Sequence, residues 1–284
     1  DFDKLNNSIS ERGKVPFVAD VMVSRWAYEA ISVEHFKSND YQRSLFPFKK
    51  EESQNNFKVA YWIPKMQELL TGSLTAFESG KNDSTLALVN DNLAVVKREL
   101  ANDLYTVRHS EFNLGEISDL DASSFDESIS SKIWYHLEDA MGFYSIRLAQ
   151  ASDARDSVLY VMKEKLPEGM KLSDFKDQYY NDQLEDLMKN SSAEDRIDIA
   201  YGRIIQIIDP IYQEVHNYGE PLNYRTQFLA PQKPFLGNSY GTYGFNLSVI
   251  WAMTMLLYLT LYFDALPKFM DLTTSVATKF YKKK

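Results

Sequence analysis

A short charged and aromatic run near the N-terminus has the residue types of an ion pair held at a membrane surface. It reads SRWAYEA over residues 24–30, with Arg25 and Glu29 four positions apart. On a helix, side chains at this spacing lie on one face, so the guanidinium and the carboxylate can pair. Trp26 and Tyr28 are amphipathic and suit the depth of lipid headgroups. An ordinary surface ion pair with aromatic packing is the alternative interpretation.

Residue groupings that would support catalysis are missing from the sequence. The chain has no cysteine, which excludes thiolate nucleophiles, disulfides and Cys-ligated zinc. It has no G-x-x-x-x-G-K-[ST] loop and no G-x-S-x-G turn. The HLED run at His136–Asp139 lacks the second histidine of a zinc-binding helix. We therefore expect no enzymatic activity, no metal and no cofactor within these residues.

The charge balance is acidic, with 40 Asp and Glu against 31 Lys and Arg and a formal net charge of −9. Binding to the phosphate backbone of nucleic acid requires clustered Lys and Arg. The sequence shows no basic stripe interleaved with aromatic residues. We therefore expect no nucleic-acid partner.

Apolar residues recur at helical spacing through most of the chain between about residues 50 and 216. Stripes begin at Ile63, at Leu86 after a candidate N-cap at Ser84, and at Ile133, with an extension through Leu166. A shorter amphipathic helix is predicted over residues 171–190, capped by Ser173. Another is predicted over residues 194–215, with a bend or end near Pro210. The pattern predicts a helical bundle.

An uncharged apolar strip, FNLSVIWAMTMLLYLTLYF, occupies residues 245–263. A helix of this length covers roughly 28 Å at a rise of ~1.5 Å per residue. The hydrocarbon core of a bilayer is about 30 Å thick, so the strip predicts a transmembrane helix over residues 244–266. A buried core helix is the alternative, although core helices usually keep a polar face. Aromatic and basic flanking residues are the predicted interface anchors: Tyr240, Tyr243, Tyr262 and Lys268.

The residues after the strip are mainly basic. Five lysines stand between residue 264 and the end, against Asp264 and Asp271. The positive-inside rule places this tail in the cytoplasm and the acidic bundle on the opposite side of the membrane. The predicted fold class is thus all-α, an extracytoplasmic helical bundle followed by a C-terminal transmembrane helix.

Five segments follow from these patterns. The predicted divisions are a membrane-exit or reentrant helical segment (1–45), an extracytoplasmic helical domain (46–216), an irregular connector (217–243), the transmembrane helix (244–266) and a cytoplasmic tail (267–284). The connector is assigned by its proline and glycine content.

Both ends of the chain resemble ATP-binding-cassette exporters of the G subfamily, the white and pleiotropic-drug-resistance-like proteins. The run Ser24–Ala30 resembles their Arg-Trp-x-x-Glu signature after the fifth membrane helix, and VEHF at Val33–Phe36 stands where an Asn/Glu-Phe pair follows. The segment at residues 235–266 is similar to the closing segment of large bacterial permeases of this kind, chiefly from Bacteroidetes. The resemblance covers the two ends and not the middle, where most members carry a shorter loop.

The resemblance implies the C-terminal part of the permease of an ATP-driven exporter in a bacterial inner membrane. Residues before 240 would then be mainly periplasmic, and the first residue, Asp1, suggests a piece of a longer chain. ATP and Mg²⁺ would bind in a nucleotide-binding domain outside these residues. The implied partners are the remaining transmembrane helices, that domain, a second copy in a homodimer, and an envelope partner or cargo. A single-pass, membrane-anchored extracytoplasmic binding or sensor domain is the alternative function.

Overall fold

The structure, a computed structural model, describes residues 15–80, 82–103, 120–121, 125–200, 202–214 and 222–264. This part of the chain is mostly helical, as predicted, and it also contains two small antiparallel hairpins. The helices are α1 (Phe17–Asp20), α2 (Val23–Ser38), α3 (Phe46–Phe57), α4 (Ile63–Ser79), α5 (Asp83–Asp103), α6 (Glu127–Glu164), α7 (Leu172–Tyr179), α8 (Asp182–Lys189) and α9 (Thr242–Tyr262). The strands are β1 (Ile197–Ala200), β2 (Arg203–Gln206), β3 (Gln232–Phe235) and β4 (Asn238–Gly241).

A continuous helical rod runs from α3 into α4 through a π-helical turn at Lys58–Trp62. The turn lies directly before Pro64, whose ring and missing N–H do not fit a regular helical ladder. This rod packs against α5 and α6, and the predicted apolar stripes on those helices face it. The main core contains buried side chains from all of them, among them Trp62, Met66, Leu70, Leu93, Val96, Leu100, Ile133 and Leu137.

A second, smaller core lies where α2 meets α3, α8 and a 3₁₀ turn at Pro210–Tyr212. It consists of Val33, Phe36, Phe46, Met188, Ile211, Tyr212 and Leu229. Because Leu229 comes from the loop before β3, this core ties α2 to the segment that leads into α9.

One buried polar cluster interrupts the main core beside the π-helical turn. The carboxylate of Asp103, 2% exposed, accepts hydrogen bonds from Lys58 Nζ at 3.0 Å and from the Tyr144 hydroxyl at 2.5 Å. The ammonium of Lys58 also lies 3.6 Å from the centroid of the Trp62 ring. Both hydrogen bonds are to Asp103 Oδ1, and His136 Nε2 lies 3.6 Å from Oδ2. These contacts offset part of the cost of burying the carboxylate.

The prediction of a helix over residues 194–215 is wrong. The segment forms the β1–β2 hairpin, with Ala200 paired with Arg203, and then the 3₁₀ turn. Its isoleucines are β-branched and favour strands. Gly202 has a φ of +67°, a left-handed conformation that glycine adopts without steric cost. These local preferences outweigh the apparent helical spacing.

Three further details differ from the sequence-based expectations. Asn82, and not Ser84, caps α5, because its side-chain oxygen accepts a hydrogen bond from the Thr85 N–H at 2.8 Å. The region 171–190 divides into α7 and α8, and Lys171 precedes α7 where Ser173 was expected to cap it. The predicted irregular connector contains the β3–β4 hairpin.

The apolar strip is a single helix, α9, that begins two residues earlier than predicted and is followed in the structure as far as Tyr262. Its first turns pack against α2. Beyond that contact its large side chains are exposed, with Trp251 63% and Leu261 80% accessible. Among the described residues, α9 is the one helix long and apolar enough to cross a bilayer.

Candidate functional site

The centre of the site is Glu29, a carboxylate with no solvent-exposed surface. It lies in the middle of α2, where a charged group in the buried face must find partners or lose its charge. Its two oxygens accept hydrogen bonds from Leu229, Lys233 and Asn246, which are 200, 204 and 217 positions away, and Arg25 on α2 lies nearby. Glu29 is therefore a shared acceptor, and it holds the segments that carry these residues together.

The first partner comes from α2 itself. Arg25 Nη1 lies 3.6 Å from Glu29 Oε2, so the i,i+4 pair predicted from the sequence forms. The pair is buried, with Arg25 7% exposed at the side chain, which rules out the alternative of an ordinary surface pair. Arg25 Nη2 also lies 3.2 Å from Asp20 Oδ1, and the guanidinium carbon lies 3.9 Å from the centroid of the Trp26 ring.

The second partner is Lys233 on β3, which is 1% exposed. Its ammonium donates to Glu29 Oε1 at 2.6 Å and to the Thr226 hydroxyl at 2.8 Å. The backbone N–H of Leu229 donates to the same Glu29 oxygen at 3.2 Å. The loop and hairpin before α9 are thus bonded directly to α2.

The third partner is Asn246 in the second turn of α9, whose side chain is fully buried. Its amide nitrogen donates to Glu29 Oε2 at 2.9 Å and to the Trp26 carbonyl at 3.1 Å. Both partners are acceptors, which fixes the orientation of the amide. These two hydrogen bonds bind α9 to α2 through a buried polar group inside an uncharged, mostly apolar helix.

Charge is nearly balanced inside the network. Two carboxylates, Glu29 and Asp20, face two buried cations, Arg25 and Lys233. The half-buried Arg225 lies 3.7 Å from Asp20 at the edge. Burial lowers the pKa of Lys233 from its ordinary value, and the charge of Glu29 opposes this shift. The Lys233–Glu29 contact is a short hydrogen-bonded ion pair, whereas Arg25 lies 3.2 Å from Asp20 and 3.6 Å from Glu29. Pairing with opposite charges offsets the cost of burying these groups.

Trp26 and Tyr28 occupy different environments. Trp26 is 2% exposed, packs against Tyr224 and Phe245, and donates from its indole nitrogen to the Asp20 carbonyl at 2.8 Å. Tyr28 is 51% exposed and stacks on Phe228. Trp26 therefore connects α1 to the first turn of α9, whereas the Tyr28 side chain lies at the surface.

The predicted interface residues flank the two ends of α9. Tyr240 lies on β4 and Tyr243 in the first turn of α9, both nearly half exposed. Tyr262 lies in the last turn and is 69% exposed. Lys268 lies outside the described residues. Their role at a membrane interface stays a prediction.

The sequence indicated half of this site and missed the rest. Arg25 and Glu29 follow from their spacing, but nothing in the sequence around Lys233 marks it as the counter-ion of a residue 204 positions away. The sequence does indicate a contact for Asn246, because an amide within an apolar strip must find a hydrogen-bond partner. Asp20 and Leu229 join the network only through the tertiary fold.

The described residues contain no group of histidine and acidic side chains that could hold a metal ion. What the arrangement does is mechanical and electrostatic: it joins α2, the β3–β4 hairpin and α9 around one carboxylate. No family model, curated protein or solved structure matches this chain.

Proposed function

We propose that this chain is the C-terminal part of the permease of an ATP-driven exporter of the G-subfamily type. In this proposal α9 is the last membrane helix and α2 is the membrane-exit segment. The helical domain between them projects on the extracytoplasmic side, where it caps the exit path or transfers cargo to an envelope partner. ATP hydrolysis would take place in a domain outside these residues.

The observation that carries the proposal is the connection between the two ends of the chain. The signature-like run of α2 and the closing helix α9, the two regions that resemble the exporters, meet at Glu29 through Asn246 and Lys233. A motif that serves to hold the exit segment against the last membrane helix would need this contact. The contact between Glu29 and Asn246 thus joins one residue from each of the two resembling regions.

The surface of α9 supports a membrane location. A core helix of a soluble protein is buried on most of its surface, whereas α9 beyond its contact with α2 exposes Trp251, Leu256 and Leu261 by more than half. Exposing a continuous apolar surface of this kind to water is unfavourable. Lipid and neighbouring membrane helices are the environment that it fits.

The proposed mechanism follows from the rigidity of the shared acceptor. Because Glu29 belongs to α2 and bonds to both β3 and α9, displacement of any one of these elements must move the others or break buried polar contacts. The second core, through Leu229 and Val33, extends this connection to α8 of the helical domain. In an exporter that alternates between inward and outward states, α9 and the base of the helical domain would therefore move together.

The second candidate function is a single-pass receptor or sensor domain. It is favoured by one observation, that α9 is the single helix of membrane-spanning length in the described part of the chain. In that case the network would serve to orient the helical domain on its anchor. The sequence of the full-length protein distinguishes the two: several further membrane helices and a phosphate-binding loop favour the exporter.

The test is reconstitution of the full-length protein into liposomes. We expect ATP hydrolysis by the wild type, and a large loss of it in Glu29→Ala at equal folded yield. Lys65→Ala, which alters an exposed ion pair with Glu68, is the matched control and should keep wild-type activity. A folded full-length protein without ATP hydrolysis would contradict the exporter proposal.

A further inference from the structure

A cleft in the helical domain collects apolar side chains that belong to neither core. It lies between the end of α6, the loop that follows, α7, and the turn after α2. Its volume is about 420 Å³, within the range of roughly 300–1,000 Å³ typical of small-molecule sites. The apolar lining includes Val158, Val161, Met162, Leu166, Met170 and Phe175.

These side chains remain accessible although they lie between packed elements. Val161 is 49% and Met170 36% exposed, and α7 has no buried residue at all. A helix that covers apolar residues without burying any side chain of its own leaves space beneath it. Methionines at the wall, Met162 and Met170, can adapt to ligands of different shape because their side chains are unbranched and flexible.

The polar residues of the cleft indicate the chemistry of the ligand head. Lys165 lines it, and its ammonium forms no ion pair within the part of the chain that the structure describes. Asp40 also lines it, but Asp40 Oδ2 accepts a hydrogen bond from the Tyr179 hydroxyl at 3.3 Å. Lys165 therefore supplies a cation that suits an anionic head, while the Asp40 carboxylate lies on the turn after α2 and bonds to Tyr179.

We propose that this cleft binds a single-tailed, lipid-like amphiphile, with its tail on the apolar wall and an anionic head at Lys165. A chain carrying a helix of membrane-spanning length has such molecules close by. Asp40 follows the end of α2 directly, so the cleft adjoins the helix that Glu29 fastens to α9. The inference concerns the helical domain alone and does not depend on ATP-driven export.

The experiment uses the full chain in lipid nanodiscs and a dodecanoic acid probe that carries a photoreactive diazirine on its tail. Labelled peptides are identified by mass spectrometry. Labelling of α9 measures the probe dissolved in the bilayer. Excess unlabelled dodecanoate should not reduce this labelling. Labelling of residues 158–178 should be saturable and displaced by dodecanoate, whereas dodecyltrimethylammonium should compete poorly.

Two variants and one control locate the site. Val161→Arg places a charge on the apolar wall and should reduce saturable labelling about tenfold, the equivalent of 1.4 kcal/mol. Lys165→Met should reduce it severalfold by removing the cation. Tyr135→Arg alters another exposed residue of α6, 68% accessible, and should leave labelling unchanged. Labelling that is not saturable, or that survives Val161→Arg or Lys165→Met, would overturn the proposal, whatever the result of the ATP-hydrolysis assay.

Discussion

The ammonium of Lys233 lies 2.6 Å from a carboxylate oxygen of Glu29, and both side chains are almost completely withdrawn from solvent. The two residues are 204 positions apart and belong to a strand and a helix at opposite ends of the described chain. Removing one partner of such a pair would leave the other charge buried and unpaired. This destabilises the folded protein far more than an unpaired charge at the surface does.

Replacing Lys233 with methionine should therefore destabilise the protein by about 3–5 kcal/mol, because the more distant Arg25 would be the one charged partner left to the buried Glu29 among the described residues. The remaining contacts of Glu29 are neutral hydrogen bonds from the Leu229 N–H and the Asn246 amide. The double variant Glu29→Met, Lys233→Met leaves the pair with no charge and should recover part of the loss. Thermal unfolding followed by circular dichroism in detergent compares the variants at one scan rate. Lys65→Met, in the exposed pair with Glu68, should cost less than about 1 kcal/mol. Equal effects of Lys65→Met and Lys233→Met would contradict the account.

Asn246→Leu should weaken the contact between α2 and α9 even though it makes α9 more apolar. Glu29 and the Trp26 carbonyl each lose a hydrogen-bond donor inside the protein, at a cost of about 1–3 kcal/mol. Thr254→Leu is the matched control on the same helix, because Thr254 is exposed and bonds only to the Ile250 carbonyl. The distribution of distances between spin labels on α2 and α9 should broaden in Asn246→Leu and stay unchanged in Thr254→Leu. A distribution in Asn246→Leu as narrow as that of the wild type would show that Asn246 does not hold α9 against α2.

Features set by residues close in sequence can be predicted for this chain, and contacts between residues distant in sequence cannot. The amphipathic helices α4, α5 and α6 follow from their stripes, since one apolar face per helix must be buried against the others. The pair of Arg25 and Glu29 follows from its i,i+4 spacing, which puts both side chains on one face of a helix. Lys233 could not be predicted, because a counter-ion brought by a hairpin from the far end of the chain leaves no periodic trace.

The β1–β2 hairpin shows a different limit. Ile197, Ile204 and Ile208 fit the spacing of one helical face, whereas Ile197 and Ile199, two positions apart, fit one face of a strand. The turn at Gly202 decides the outcome, because its left-handed backbone reverses the chain. The Ile204 N–H then donates to Glu99 Oε1 at 3.2 Å and fastens the hairpin to α5, a contact that no local pattern predicts.

Asp103 should make the stability of the helical domain depend on pH. Burial alone would raise the pKa of Asp103, but the contacts with His136, Lys58 and Tyr144 outweigh it and hold the pKa below its ordinary value. The contribution to stability is then complete above the unfolded-state pKa of about 4 and is lost as the pH falls through the folded-state value.

The difference in unfolding free energy between wild type and Asp103→Asn should accordingly be largest at neutral pH and narrow below about pH 4. Denaturant unfolding at a series of pH values measures it. Asp156→Asn is the control, since Asp156 pairs with Arg155 at the surface. A difference that stays constant down to acidic pH would show that the depressed pKa of Asp103 is not part of the folded state.

Trp62→Phe should loosen the π-helical turn. The substitution removes the indole hydrogen bond to Glu99 Oε2 at 2.7 Å and weakens the contact with the Lys58 ammonium, together worth about 1–3 kcal/mol. Hydrogen exchange of residues 58–62 should accelerate relative to α6. Trp134→Phe, whose indole bonds to an exposed Glu138, is the matched control and should change little. Unchanged exchange in Trp62→Phe would contradict this role of the indole.

The central claim is that α9 spans a membrane with the helical domain outside and the C-terminal tail inside. The absence of cysteine from these residues allows single reporters to be introduced at Glu78 in the helical domain, at Leu257 in α9 and at Lys282 in the tail. We predict that, in cells with a permeabilised outer envelope, a membrane-impermeant maleimide labels Glu78→Cys, labels Lys282→Cys only after lysis, and does not label Leu257→Cys. Labelling of Leu257→Cys as fast as Glu78→Cys would contradict the account.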